Sequence, residues 1–361
     1  MSAPRRAVIT SRGVISPLGC DWPTFASAVQ ADTKAAPGVF PGSDVPCYLL
    51  SDRELLESFA TSRDEPLGRL ATAAARQALA EAGFAGRGRP LDDVGLVMNT
   101  IFGPSTALET YLERLREAGP RSGRPALFVD TLPSMPASRV GIALKLRGST
   151  AVLGGSSAFE LALDWVRYGR ERAVVAGGGE YQSPKCLRYL QALAERSGVE
   201  RAVPAQGAAF VVIEELEGAR GRGARPLAEL LGASAASEPQ DVSLPWNADA
   251  EGRAFACAMR GALADASLAP EDVRVAVLAS GDDATEAAER AALRAVVGEG
   301  AARLTLLRPK RQLGEALGAA AGLGLLAALA ALEGGEAGVA LVNAFEMGAA
   351  VTSLALRASV V

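Results

Sequence analysis

The sequence predicts a layered α/β fold built from two similar halves, and three observations support this. Short apolar runs alternate along the chain with stretches whose apolar residues recur at helical spacing. The strand candidates are apolar throughout instead of alternating, so helices should cover both faces of the sheets. The rhythm seen in the first part of the chain returns in the second.

Ala7 to Ile15 (AVITSRGVI) reads as a buried strand closed by the turn Ser16-Pro17-Leu18-Gly19, with a helix starting near Trp22. Leu67 to Ala82 keeps helical spacing until Gly83 ends the run, and Val94 to Asn99 is a second strand. Ala137 to Leu146 is helical, Ala151 to Leu153 a short strand, and Ser157 to Tyr168 a buried helix. A strand from Arg172 to Ala176 runs into the three glycines 177 to 179, which no GxGxxG helix start follows, so they do not read as a phosphate cradle. The alternation then resumes with a strand Ala208 to Glu214, a helix Ala256 to Ala266 and a strand Val273 to Leu278. A helix Glu286 to Val297, a strand Leu304 to Leu307, a core helix Gly314 to Leu332 and hairpin-like strands Val339 to Asn343 and Ala350 to Leu356 complete it. The expected halves are 1–235 and 236–361.

Composition removes several function classes. With 361 residues the chain can bury large cores, and 49% hydrophobic against 22% charged residues is the balance of a globular protein. A net charge of −4 supplies no basic field for nucleic acid. No secretion signal is evident after the start and no apolar run reaches the roughly 20 residues needed to cross a bilayer, so a cytoplasmic protein without membrane contact is expected. Cys20, Cys47, Cys186 and Cys257 form no CxxC pair, so neither a metal site nor a disulfide framework is expected, and no cofactor is implied. The histidine count is 0. Any chemistry that needs imidazole is therefore excluded, Ser-His-Asp and Cys-His hydrolysis included.

Segments in a fixed order carry a more specific signal. AVITSRGVISPLG at the start is similar to the opening strand and turn of elongating β-ketoacyl synthases. PSMPASRVGIALKLRGS, ALDWVRYGRERAVVAGGGE, FVVIEELEGARGRGARPLAELLG, AMRGALADASLAPEDVRVAVLASG, PKRQLGEALGAAAG and LVNAFEMGAAVTSLAL follow in that family's order. The chain thus resembles the β-ketoacyl synthase family over nearly its whole length. The resemblance implies a thiolase-like fold, two similar halves forming a layered α-β-α-β-α architecture.

The same resemblance places the family's catalytic positions. The family nucleophile is the Cys of a TACASG-like elbow at a helix N-terminus, where amides and dipole favour a thiolate and an oxyanion. Here the elbow reads VLGGSSAF, and the position falls on Gly155, or on Gly154 in a register one residue shorter. The histidine of the NAHGT motif becomes Ser280 and that of KSxxGHxxGAAG becomes Glu315, while Lys310 matches the motif's lysine. An anionic Glu opposes enolate charge, where the two neutral imidazoles would stabilise it. The gating GFGG turn becomes Phe345-Glu346-Met347-Gly348, so Gly155, Ser156, Phe345 and Met347 are the candidate acyl-binding residues.

These replacements imply a synthase homologue without its own condensation chemistry, resembling the chain length factor that pairs with an active ketosynthase in type II polyketide or aryl polyene systems. An acyl carrier protein would be the further partner, and the basic group Arg308, Lys310, Arg311 is a candidate contact for it. Two other readings stay open. One is acyl transfer or hydrolysis by Ser156, Ser157 or Ser280, and the other is a free-standing homodimer that binds acyl chains or carrier protein.

Overall fold

The computed structural model describes residues 4–50, 65–84, 90–197, 202–238, 249–336, 338–345 and 347–359. Its strands are β1 Ala7–Ile15, β2 Gly38–Val39, β3 Pro46–Cys47, β4 Val94–Asn99, β5 Thr150–Leu153, β6 Ala173–Glu180, β7 Gly207–Glu215, β8 Ala228–Ser237, β9 Val273–Val277, β10 Thr305–Leu307, β11 Val339–Phe345 and β12 Ala350–Ala358. Apart from the small β2–β3 ribbon, the described strands form one sheet in the order β10-β9-β11-β12-β8-β1-β7-β6-β4-β5.

That order is a repeat. Outward from β1, strand β7 is antiparallel, β6 is antiparallel to β7, and β4 and β5 continue parallel to β6. Outward from β8, β12, β11, β9 and β10 stand in the same relations. The halves join where Ala7, Val8 and Ile9 pair with Leu230, Glu229 and Ala228. The expected boundary at 235/236 falls inside β8, so we propose to divide the halves in the connection before Ala228.

Helices complete five layers of the thiolase type. The central layer holds helices Ala158–Arg167 and Ala320–Glu333, whose side chains share one core with strands of both halves. Pro66–Glu81 and Met135–Leu144 cover the outer face of the first half, and Arg253–Asp265 and Asp283–Val297 that of the second. Ala320–Glu333 is apolar on every side, as a helix with no solvent face must be, and Leu323, Leu325, Leu326 and Leu329 are all buried.

Where element ends differ from expectation, contacts across the fold explain it. The core helix begins at Ala320 and not Gly314, because Gly314 (φ +88°) and Leu317 (φ +45°) turn the chain and Glu315 is engaged elsewhere. Strand β6 does not stop at Ala176 but runs through all three glycines. A Cβ on Gly177 would overlap the Ala209 carbonyl of β7, and one on Gly178 the carbonyl of Gly318. The glycines are there for backbone approach. Helices Ser105–Ala118 and Pro184–Ser197 and strand β8 have no counterpart in the sequence reading. The residues of β8, AELLGASAAS, are mostly small and show little strand preference, so its pairing with β1 and β12 decides its state.

Among the described residues no helix is long and apolar enough to cross a membrane, and no group of three or more Cys, Asp or Glu is placed to hold a metal ion. Gly178→Ala should destabilise the protein by more than about 3 kcal/mol, since backbone and not a pliable side chain fills the space. Urea unfolding of this variant beside Gly141→Ala, whose nearest neighbour atom is 4.0 Å from an added Cβ, checks this.

Candidate functional site

The loop after β9, the short helix Pro309–Leu313, the turn at Gly314–Glu315 and the end of β11 converge on one cavity. It encloses about 240 Å³, and Lys310, Glu315, Phe345, Thr285, Ala279, Gly281 and Asp282 form its second-half wall. The first half closes it with Val45 and Pro46, with Leu190, Gln191 and Ala194 of helix Pro184–Ser197, and with Val203 and Pro204. Most of these walls are apolar, so the few polar groups decide its chemistry.

The main polar feature is an ion pair. Lys310 Nζ donates to Glu315 Oε2 at 2.6 Å and to the Phe345 carbonyl at 2.9 Å, with the two side chains only 7% and 16% exposed. The other Glu315 oxygen accepts the Leu317 amide at 2.9 Å. The Glu315 carboxylate therefore ties the helix carrying Lys310 to the turn before the core helix. The end of β11 is held by the same ammonium. Both groups of the pair are engaged, so no general base faces the cavity from it.

Ser280 is fully buried, and although Ala279 and Gly281 on either side line the cavity, Ser280 does not. Its amide and that of Ala279 donate to the buried Glu289 carboxylate at 3.1 and 3.0 Å, and Asn343 Nδ2 donates to the same group at 2.8 Å. Ser353 Oγ in turn donates to Asn343 Oδ1 at 2.6 Å. Burial raises the Glu289 carboxyl above its ordinary range, against the pull of the donors from Ala279, Asn343 and Ser280. This network shapes the loop, and the Ser280 hydroxyl within it is buried away from the cavity.

The elbow lies apart from the cavity. Gly154, Gly155, Ser156 and Ser157 turn the chain between β5 and the helix that starts at Ala158, and none lines the cavity. Gly155 sits at φ +147°, a conformation that L residues rarely adopt, and it precedes the helix N-cap, Ser157, by two positions. Ser156 is buried with its hydroxyl 2.9 Å from that of Thr352 on β12, so it bonds to another hydroxyl and not to a base. Of the four candidate acyl-binding residues, Phe345 lines the cavity. Gly155, Ser156 and Met347 do not, and Glu346 lies outside the described residues.

Two further features of the sequence bear on the site. Thr150-Ala151-Val152 at the end of β5 offers a second register for the T-A-C of the elbow, with Val152 in the nucleophile's place and packed against the first half's outer core. Neither Gly155 nor Val152 carries a nucleophilic side chain. The basic group near Lys310 is internally neutralised: Arg308 pairs with Glu286 at 3.0 Å, and Arg311 with Asp283 at 2.6 Å and Glu286 at 2.9 Å. Burial alone would raise the Glu286 carboxyl, but hydrogen bonds from Arg290 and Arg308 hold it below the usual range. The acids sit on the helix after β9, where the sequence read only a helical face.

Residues 57–219 match the family Beta-ketoacyl synthase, N-terminal domain, and residues 227–340 the Beta-ketoacyl synthase, C-terminal domain. The chain belongs to the β-ketoacyl synthase family. It is 29% identical over 362 residues to 3-oxoacyl-[acyl-carrier-protein] synthase 2 of Rhizobium meliloti (strain 1021), covering 88% of this chain and 83% of that protein. Nodulation protein E of Rhizobium leguminosarum bv. trifolii is 31% identical over 363 residues, covering 92% and 87%. Among solved structures it is similar to the ishigamide ketosynthase/chain length factor, with a TM-score of 0.86, 21% identity and coverage of 99% and 100%. It has the same TM-score and coverage, at 20% identity, to AntDE:AntF, a type II PKS acyl-carrier protein in complex with its ketosynthase bound to the hexaketide.

Glu315→Gln should cost about 3 kcal/mol of stability, because it leaves the Lys310 ammonium buried without its counter-charge. Glu315→Met with Lys310→Met, which removes both charges, should recover most of that loss in thermal and urea melts.

Proposed function

We propose that this β-ketoacyl synthase homologue is catalytically silent and works as a chain-length-factor-like partner of an active ketosynthase, in a type II polyketide, aryl polyene or fatty-acid-like pathway. The observation that carries this reading is the fate of the second imidazole position. Glu315 there is locked to Lys310 and to the Leu317 amide, in a chain with no histidine at all. Decarboxylating a malonyl thioester needs neutral donors for the developing enolate, and this pair offers a carboxylate. The serine reading has less support, since Ser156 bonds to Thr352 and Ser280 lies outside the cavity.

The assembly role draws on the sheet edge. Strand β5 ends the sheet and, among the described strands, pairs only with β4, so one rank of its backbone groups is open to a partner. Exposed apolar surface lies beside it: Ile142, on the helix Met135–Leu144 that packs on β5, is 79% exposed. A partner synthase strand paired on β5 would cover this face, and the elbow next to β5 would then border the partner's acyl tunnel. An acyl carrier protein would deliver the chain to the partner.

Purified alone, the protein should release no carbon dioxide from malonyl carrier protein above a protein-free blank. Cysteine placed at Gly155 or at Val152 should not restore condensation. Lacking even one oxyanion donor typically costs about 100- to 1000-fold in rate, and here both imidazoles are missing. Turnover that vanishes on mutating a serine near the elbow would instead favour the serine reading.

Co-expressed with a cognate ketosynthase, the chain should elute as a 1:1 complex that Ile142→Asp weakens at least tenfold while leaving its melting temperature unchanged. A homodimer that ignores the synthase would point to the free-standing binder. Tryptophan at Val152 or Gly155 should shorten the partner's product by mass spectrometry. The backbone at Val152 accepts a side chain, whereas any side chain at Gly155 strains it.

A further inference from the structure

The cavity wall holds one donor that the protein itself does not use. The Lys310 ammonium carries three N–H groups, and two of them go to Glu315 Oε2 at 2.6 Å and the Phe345 carbonyl at 2.9 Å. Among the described residues the third meets no acceptor. Lys310 is buried and lines the cavity, so an occupant of the cavity is within reach of that donor.

The other polar side chains of the wall are already engaged. Each oxygen of Glu315 accepts one bond, from Lys310 and from the Leu317 amide. Asp282 caps the helix Asp283–Val297, with Oδ1 accepting the Thr285 amide at 2.9 Å and Oδ2 the Thr285 hydroxyl at 2.8 Å. Gln191 donates to Glu195 at 3.0 Å. In charge, the Lys310 cation stands against the two carboxylates of Glu315 and Asp282. A carboxylate entering this wall loses its hydration and meets an excess of negative charge. An ammonium competes with Lys310 for Glu315 and leaves the spare donor unmet. An uncharged acceptor avoids both costs.

Shape sets the rest. The Phe345 ring packs on Phe255, with centroids 5.4 Å apart at 45°, which fixes an apolar surface beside the carbonyl that holds Lys310. From the first half, Val45, Pro46, Leu190 and Val203 bring no hydrogen-bonding side chain. At about 30 Å³ per non-hydrogen atom, the share of one water molecule in the liquid, 240 Å³ admits roughly eight atoms.

We propose that the cavity is a binding site for a short uncharged amphiphile, whose aliphatic body lies along the apolar walls and whose one carbonyl-type oxygen accepts from Lys310. The pre-formed Lys310–Glu315 pair gives it a directed donor whose charge is already balanced, so selection is by charge as well as by shape. The ligand is held and released unchanged. The assignment rests on the reading of a silent site and adds what that site takes.

The test uses the protein alone near pH 7.5 and three probes of similar length, 2-heptanone, heptanoate and heptylamine, the last two being an anion and a cation there. In NMR titrations 2-heptanone should bind saturably and about tenfold or more tighter than either ion. Lys310→Met with Glu315→Met, which removes the donor, should weaken the ketone about tenfold. Ala194→Trp, which fills the cavity from a half-exposed helix position, should abolish binding. With ¹³C-carbonyl 2-heptanone the unsubstituted protein decides the matter even where a variant fails to fold. The bound signal should lie at least as far downfield as in water, the mark of an oxygen that accepts a hydrogen bond. No saturable binding, equal affinity for the ketone and either ion, undiminished binding by Ala194→Trp, or a bound signal at its position in hexane overturns the site. Carbon dioxide release from malonyl carrier protein would instead overturn the silent reading, so the two failures are told apart.

Discussion

The backbone of Gly178 lies so close to the carbonyl of Gly318 that no side chain fits between them, and the layout of the site follows from this approach. Gly178 belongs to a first-half strand and Gly318 to the turn that begins the second half's central helix. Holding them together seats helix Ala320–Glu333 in the layer between the halves, where it has no face left for water. Glu180, two residues on, then reaches the same turn, and Glu315 reaches it from the other side. The cavity lies beside this junction and takes its walls from both halves.

The charged groups of the site are engaged with one another and with backbone. A buried carboxylate next to a lysine would leave a charge unpaired if the geometry were poor. Here the two groups meet at 2.6 Å and the remaining acceptors and donors find the Leu317 amide and the Phe345 carbonyl. The loop of Ala279 and Ser280 is likewise held, by Glu289, Asn343 and Ser353. These polar groups brace loops, in line with the proposed role of a subunit whose contribution is shape.

Much of the architecture was legible in the residues. Continuous apolar strands and helical spacing placed β1 and β4 to the residue and most helices within a few, because burial on both faces leaves a strong pattern. The misses share a physical cause. Strand β8 is built from small residues and acquires its state from neighbours distant in sequence, and β6 continues through glycines that look like a turn until the facing carbonyls are seen. Helix Ser105–Ala118 buries only Ser105 of its side chains, so its pattern reflects a surface and not a core.

The sequence by itself determined the family, the layered two-half plan and the absence of imidazole chemistry, because each depends on which residues are present and in what order. Tertiary structure decided which of them meet. It paired Glu315 with Lys310, turned Ser156 toward Thr352, and neutralised Arg308 and Arg311 with acids on another helix. It also separated the elbow from the cavity. These are contacts between segments far apart in the chain, set by backbone approach and buried charge, and no local pattern of residues encodes them.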